Sequence, residues 1–223
     1  ESGSGKSVTA SAVMGLLPEV MSIDAGSILF QGKDLTKLPD SEMRKLRGRA
    51  VSIIFQDPLS ALNPLMTIGD QIREVLDSHA VGTKASRADR VVEMLTEVGL
   101  PDPMLIQHQY PFRLSGGQRQ RVMIAMALAL APDILIADEP TTALDVTTQA
   151  QILKLISDIQ KSKGMSVMFI THDFGVVAEI ADRVVVMEQG LVVEQGTASQ
   201  VLNAPSHDYT KKLIAAVPKM REE

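Results

Sequence analysis

The apolar residues of this chain fall into runs of two kinds. Val51 to Phe55, Ile134 to Ala137 and Val167 to Ile170 are short and nearly continuous, the pattern of strands buried on both faces. Between them, apolar positions recur at helical spacing. Val8 to Leu17 reads as a helix stopped near Gly15 and Pro18. Asp40 to Leu46 reads as a short helix, and Gln149 to Lys163 as an amphipathic one closed by Gly164. Phe174 to Ala181, Thr197 to Leu202 and Ser206 to Val217 are further helices. Ser27 to Gly32 reads as a strand with a glycine turn. Val184 to Met187 and Leu191 to Glu194 flank Gln189-Gly190 as a hairpin. No internal repeat is visible.

The stretch 57–113 differs. Asp57-Pro58, Asn63-Pro64 and Thr67 mark loops and a helix start. Ile68, Ile72, Val75 and Leu76 follow at helical spacing, and a second helix runs from about Ala85 to Val98 before Gly99. No strand is expected there. Strands alternating with helices elsewhere predict an α/β fold, a three-layer core with a mainly parallel sheet. The core takes 1–56 and 114–223, and 57–113 is an inserted helical subdomain.

Composition narrows the function classes. With 223 residues and 45% apolar content the chain can bury a sizeable core. A net charge of −5 argues against a general nucleic-acid binder. The basic run Arg44-Lys45-Leu46-Arg47-Gly48-Arg49 reads as a solvated helix face. There are no cysteines, which excludes disulfides and thiolate metal sites within this sequence. Its longest apolar stretch, Val122 to Ala131, is too short to span a bilayer.

Glu1-Ser2-Gly3-Ser4-Gly5-Lys6-Ser7 fits the end of the phosphate-loop pattern G-x-x-x-x-G-K-[ST]. The first glycine of that pattern would fall before residue 1. The strand entering the loop is therefore expected upstream, with the N-terminal strands missing from this stretch. Gly3 and Gly5 let the backbone curl close to an anion, and its N–H groups then form a concavity backed by a helix N-terminus. Ser2, Gly3, Ser4, Gly5, Lys6, Ser7 and Val8 are the candidate phosphate contacts. Lys6 would neutralise the β and γ phosphates and Ser7 would place its hydroxyl on Mg²⁺.

Two further segments carry chemistry. Ser115 and Gln118 in Leu114-Ser115-Gly116-Gly117-Gln118 have capping-box spacing, so Ser115 starts a helix with its positive end at Gly116 and Gly117. Pro132 ends that helix. Asp138 and Glu139 close a buried strand, where open α/β sheets bind ligands. Asp138 would hold Mg²⁺ and Glu139 would polarise the attacking water.

Together, and in this order, these motifs resemble those of the ATP-binding cassette (ABC) ATPases. Leu114 to Gln118 matches the signature, Ile134 to Glu139 the Walker B strand, and Pro140-Thr141-Thr142-Ala143-Leu144-Asp145 the D-loop. The resemblance implies ATP and Mg²⁺ as ligands. It implies a dimer in which Ser115, Gly116, Gly117 and Gln118 hold the nucleotide of a second cassette, identical, related or fused, while Asp145 contacts that partner. It places Gln56 on Mg²⁺ and the water, and His172 on the γ-phosphate. His79, His108 and His207 have no such support.

A narrower likeness lies in Phe55 to Pro64, Ile68 to Ile72 and the tail Ala204 to Pro218, which are similar to ATPase subunits of bacterial peptide and nickel importers. Asp208 stands where that branch would have proline. The implied role is to power a membrane permease fed indirectly by a solute-binding protein, from the cytoplasmic face of the cell membrane and without nucleic acid. Di- or oligopeptides are the favoured solutes. The alternative is a soluble ABC ATPase acting on ribosomes or DNA, but no basic patch, zinc insertion or long coiled coil between the motifs supports it. A GTPase would carry N-K-x-D, which is absent.

Overall fold

A computed structural model describes residues 3–216. The expected Ser2 contact and the Val217 end of the last helix lie outside the described residues.

Three parallel strands form the central sheet, β3 (Val51–Ile54), β4 (Ile134–Asp138) and β5 (Ser166–Ile170), in that order. Ile54 pairs with Ala137 and Asp138 with Ile170, so the carboxyl ends of the strands align. Residues just past those ends therefore emerge along one edge, as ligand sites do in open α/β sheets.

Both faces of the sheet are covered, which is why its strands read as continuous apolar runs. Successive side chains point to opposite faces. Leu135 joins a core with Ile124, Ile152 and Ile156, while Ile136 joins another with Ala10, Met14 and Ile170. Helix α1 (Lys6–Val13) thus packs on one side, and α7 (Gly116–Leu128) and α8 (Val146–Lys163) on the other. The three expected layers are present.

Between β3 and α7 the chain is helical, with α3 (Pro58–Ala61), α4 (Ile68–Ser78), α5 (Lys84–Glu97) and α6 (Pro103–Ile106). Ile68, Ile72 and Leu76 of α4 and Val91, Met94 and Leu95 of α5 are buried in the same cluster as Val122 and Ile124. Helix α7 therefore belongs to both parts, and 57–113 shares the core of the sheet.

The remaining strands form antiparallel pairs. β1 (Leu29–Phe30) and β2 (Lys33–Asp34) turn at Gln31 and Gly32, where one strand from Ser27 to Gly32 was expected. β6 (Arg183–Glu188) and β7 (Leu191–Thr197) form the expected hairpin. Its Gly190 N–H donates to the Ser4 carbonyl at 3.2 Å, so the hairpin tip braces the phosphate loop. α9 (Phe174–Ile180) precedes it; α10 (Ala198–Asn203) and α11 (Asp208–Ala215) follow.

Other boundaries differ for physical reasons. α8 starts at Val146 because Asp145 caps it, accepting from Thr148 N–H; polar Thr147 and Thr148 hide that first turn from a search for apolar periodicity. α7 stops at Leu128, before Pro132. The basic run is only partly a helix face. α2 (Asp40–Leu46) ends before Arg47, whose guanidinium donates to the Met14 and Gly15 carbonyls at 2.8 and 2.9 Å and closes α1. Arg49 donates to the His79 carbonyl at 2.8 Å.

Candidate active site

The loop before α1 has the expected curl. Gly3 and Gly5 have φ of 92° and 93°, a region costly for any residue with a Cβ. Gly5 is the N-cap and brings no capping side chain. A helix start with no side-chain cap suits an anion. Within the loop Lys6 Nζ donates to Ser4 Oγ at 2.8 Å.

Ser7 Oγ donates to Asp138 Oδ1 at 3.1 Å and joins the loop to the end of β4. Asp138 is buried, and burial first, then the charge of Glu139, pushes its carboxyl above the ordinary value against the opposing Ser7 bond and Lys6 charge. A hydroxyl and one buried carboxylate beside a glycine-rich loop fit Mg²⁺, which takes few protein ligands and completes its shell from phosphates and water. Among the described residues no cluster of three or more His, Cys, Asp or Glu could hold a metal by itself.

Glu139 is turned the other way. Its backbone adopts φ 45°, in the left-handed region, and its N–H donates to the Ile170 carbonyl at 2.9 Å. The carboxylate meets three side chains from three segments. Gln56 Nε2 donates to Oε2 at 3.3 Å and Thr142 Oγ1 donates to Oε2 at 2.8 Å, while His172 Nδ1 lies 3.1 Å from Oε1. Burial raises the Glu139 carboxyl, but hydrogen bonds from His172 and Thr142 outweigh it and hold it below its ordinary value. The two adjacent carboxyls are thus pushed apart, a pattern typical of acid–base sites.

The structure therefore brings together Ser7, Asp138, Glu139, Gln56 and His172. The signature residues lie in a second group. Ser115 Oγ accepts from Gln118 N–H at 3.2 Å while Gln118 Oε1 accepts from Ser115 N–H at 2.9 Å, completing the capping box. Gly116 approaches Leu144, and Gly117 approaches Thr148. Asp145, held below the ordinary carboxylate range first by Thr148 N–H and then by its hydroxyl, belongs with this group.

Residues 1–142 match the ABC transporter family, and residues 193–223 match the C-terminal region of oligopeptide/dipeptide transporters. The chain belongs to the ABC transporter family. The cassette is 54% identical over 221 residues to the dipeptide transport ATP-binding protein DppD of Bacillus subtilis, covering 99% of this chain and 66% of that protein. To the oligopeptide transport ATP-binding protein OppD of the same organism it is 53% identical, covering 98% of this chain and 61% of that one. DppD of Escherichia coli is 48% identical, covering 100% of this chain and 68% of its own length. The cassette thus spans 61–68% of the length of these three relatives, and 40% of the peptidoglycan transport ATP-binding protein YejF of Agrobacterium fabrum, to which it is 54% identical. Among solved structures, the ATP-binding cassette MJ0796, dimeric in a post-hydrolysis state bound to ADP and Pi, aligns with TM-score 0.76 at 30% identity. The alignment covers 89% of this chain and 82% of that one.

Two threonines of the cassette make contacts that no motif assigns. Thr142 was read only as part of the D-loop motif, yet it bonds the Glu139 carboxylate. Thr148 touches both Gly117 and Asp145. Spacing offered a signal for each, since both lie three residues beyond a carboxylate, where a hydroxyl reaches back within one turn.

Proposed function

We propose that this cassette binds and hydrolyses ATP to power a peptide importer. The observation that carries the reading is the Glu139 carboxylate, ringed by Gln56, Thr142 and His172 beside the phosphate loop. The loop N–H groups and Lys6 neutralise the phosphates. Ser7, Asp138 and Gln56 would hold Mg²⁺, which would draw charge off the phosphoryl oxygens. Glu139 orients the water for in-line attack and accepts its proton. One P–O bond forms to that water as the bond from the γ-phosphorus to the ADP oxygen breaks. His172 contacts the γ-phosphate. Positioning and charge neutralisation supply most of the acceleration.

The working unit is a head-to-tail dimer in which Ser115 to Gln118 of each cassette close over the partner's nucleotide and Asp145 meets the partner. The dimeric state of MJ0796 supports this reading. The names of the DppD and OppD relatives support peptides as solute. The helical stretch 57–113, which begins directly after Gln56, docks on a membrane permease that a solute-binding protein supplies. No helix among the described residues is long and apolar enough to cross a membrane, which fits a peripheral subunit at the cytoplasmic face of the cell membrane.

Uptake tests the role. A strain carrying Glu139→Gln in the full-length gene should fail to import labelled di- to hexapeptides while its binding protein still captures them. Normal peptide uptake with defective nickel uptake would replace the solute, and normal uptake of both would end the importer reading.

A further inference from the structure

Gly117 lies within the helical run of α7, so its backbone does not demand glycine. Space does. A Cβ at this position would lie 2.6 Å from Thr148 Cγ2, a distance that no side chain tolerates. The rest of that side chain faces Asp145. Thr148 N–H donates to Asp145 Oδ1 at 2.9 Å, and its hydroxyl donates to Oδ2 at 2.7 Å. One residue therefore presses a methyl on the signature turn and holds both oxygens of the D-loop carboxylate, Oδ1 through its backbone N–H and Oδ2 through its hydroxyl. Leu144 adds a second contact, 3.6 Å from the Cβ position of Gly116.

We propose that Thr148 is a positioning residue that fastens the signature turn to the D-loop, and that Gly117 must be glycine because of this fastening. The inference rests on the composite dimer described above. There, the signature and Asp145 both face the partner cassette. Joined through Thr148, they meet it as one rigid body, and closure of the partner's nucleotide under Ser115 is registered at Asp145 without slack. The glycine requirement then comes from packing inside one cassette, beside whatever contact residue 117 makes with the partner's nucleotide.

The test is a methyl moved across the gap. In the full-length protein carrying Glu139→Gln, ATP-driven dimerisation is followed by sedimentation. Gly117→Ala should weaken association by about tenfold or more, as overpacking a tight contact does. Adding Thr148→Ser removes the opposing methyl and keeps the hydroxyl on Asp145. The double variant conserves volume and should return to within about threefold of the parent. Thr148→Val keeps the methyl and loses the hydroxyl, and should weaken association while monomer ATP affinity stays unchanged. A purely structural role would alter the melt instead. A double variant no better than Gly117→Ala, or a Gly117→Ala protein that dimerises normally, overturns the inference while leaving the composite dimer intact. A Glu139→Gln parent that never dimerises with ATP overturns the composite dimer and this inference with it.

Discussion

Glu139 and Glu194 are both held ionised by several donors, but the donors differ in kind. Glu139 is met by three side chains, each from a separate segment. Glu194, in β7, is met by two backbone N–H groups as well as by hydroxyls. Ser206 N–H and His207 N–H reach it at 2.7 and 3.1 Å, and Ser206 Oγ at 2.9 Å. Its carboxyl is brought down to about 2, chiefly by the Ser206 N–H. Backbone donors are fixed by the fold, so Glu194 is a clamp that fastens the approach to α11. Side-chain donors can rotate away, so Glu139 can exchange its partners for a water. Burial also opposes ionisation at Glu139, and its backbone is strained. A lowered pKa alone does not separate the two glutamates; donor type, backbone strain and the adjacent buried Asp138 do.

The comparison can be broken in descending order of effect. Glu139→Gln should cut turnover by about 10²–10⁴, the range for a positioned base, while calorimetric ATP affinity holds. Near-normal phosphate release would put Glu139 in the same structural class as Glu194. Lys6→Ala should weaken ATP binding by about 2–5 kcal/mol, the cost of truncating a charge-assisted contact. Unchanged affinity would remove the phosphate loop from the site.

Thr142→Val should lower kcat by about tenfold with KM unchanged, since it deletes one hydrogen bond to a charged group. Thr142→Ser should restore the rate. Equal losses in both variants would mean that Thr142 acts through packing.

The smallest effect belongs to the clamp. Because the folded-state pKa of Glu194 lies below its ordinary 4.5, its stabilisation is fully present above that pH and is lost as pH falls towards about 2. Denaturant titrations of Glu194→Gln should show a shallower stability loss across that window, with turnover unchanged. A turnover loss would give the clamp a functional role.

The same contrast explains what was legible in the sequence. The strands before Gln56, Glu139 and His172 are double-faced apolar runs, so their ends could be placed, and the shared edge follows from parallel pairing. Gly3, Gly5 and the Ser115–Gln118 box announce themselves by type and spacing. Glu194 does not. It stands in an ordinary hairpin strand, and its partners, among them the main-chain N–H groups of Ser206 and His207, are brought near only by folding. The α8 start was missed because Asp145 caps a polar first turn. Arg47 was misread because its acceptors are carbonyls brought near by folding, and charge runs carry no sign of them.

The contact between Gly190 and Ser4 sets an order in time. The phosphate loop leaves the ribosome well before the hairpin tip that braces it. At about 5–20 residues per second, that leaves roughly ten to forty seconds between making the loop and making its support. During synthesis the nascent cassette therefore carries a glycine-rich loop with no brace, and a competent nucleotide pocket arises only after β7 has begun to emerge.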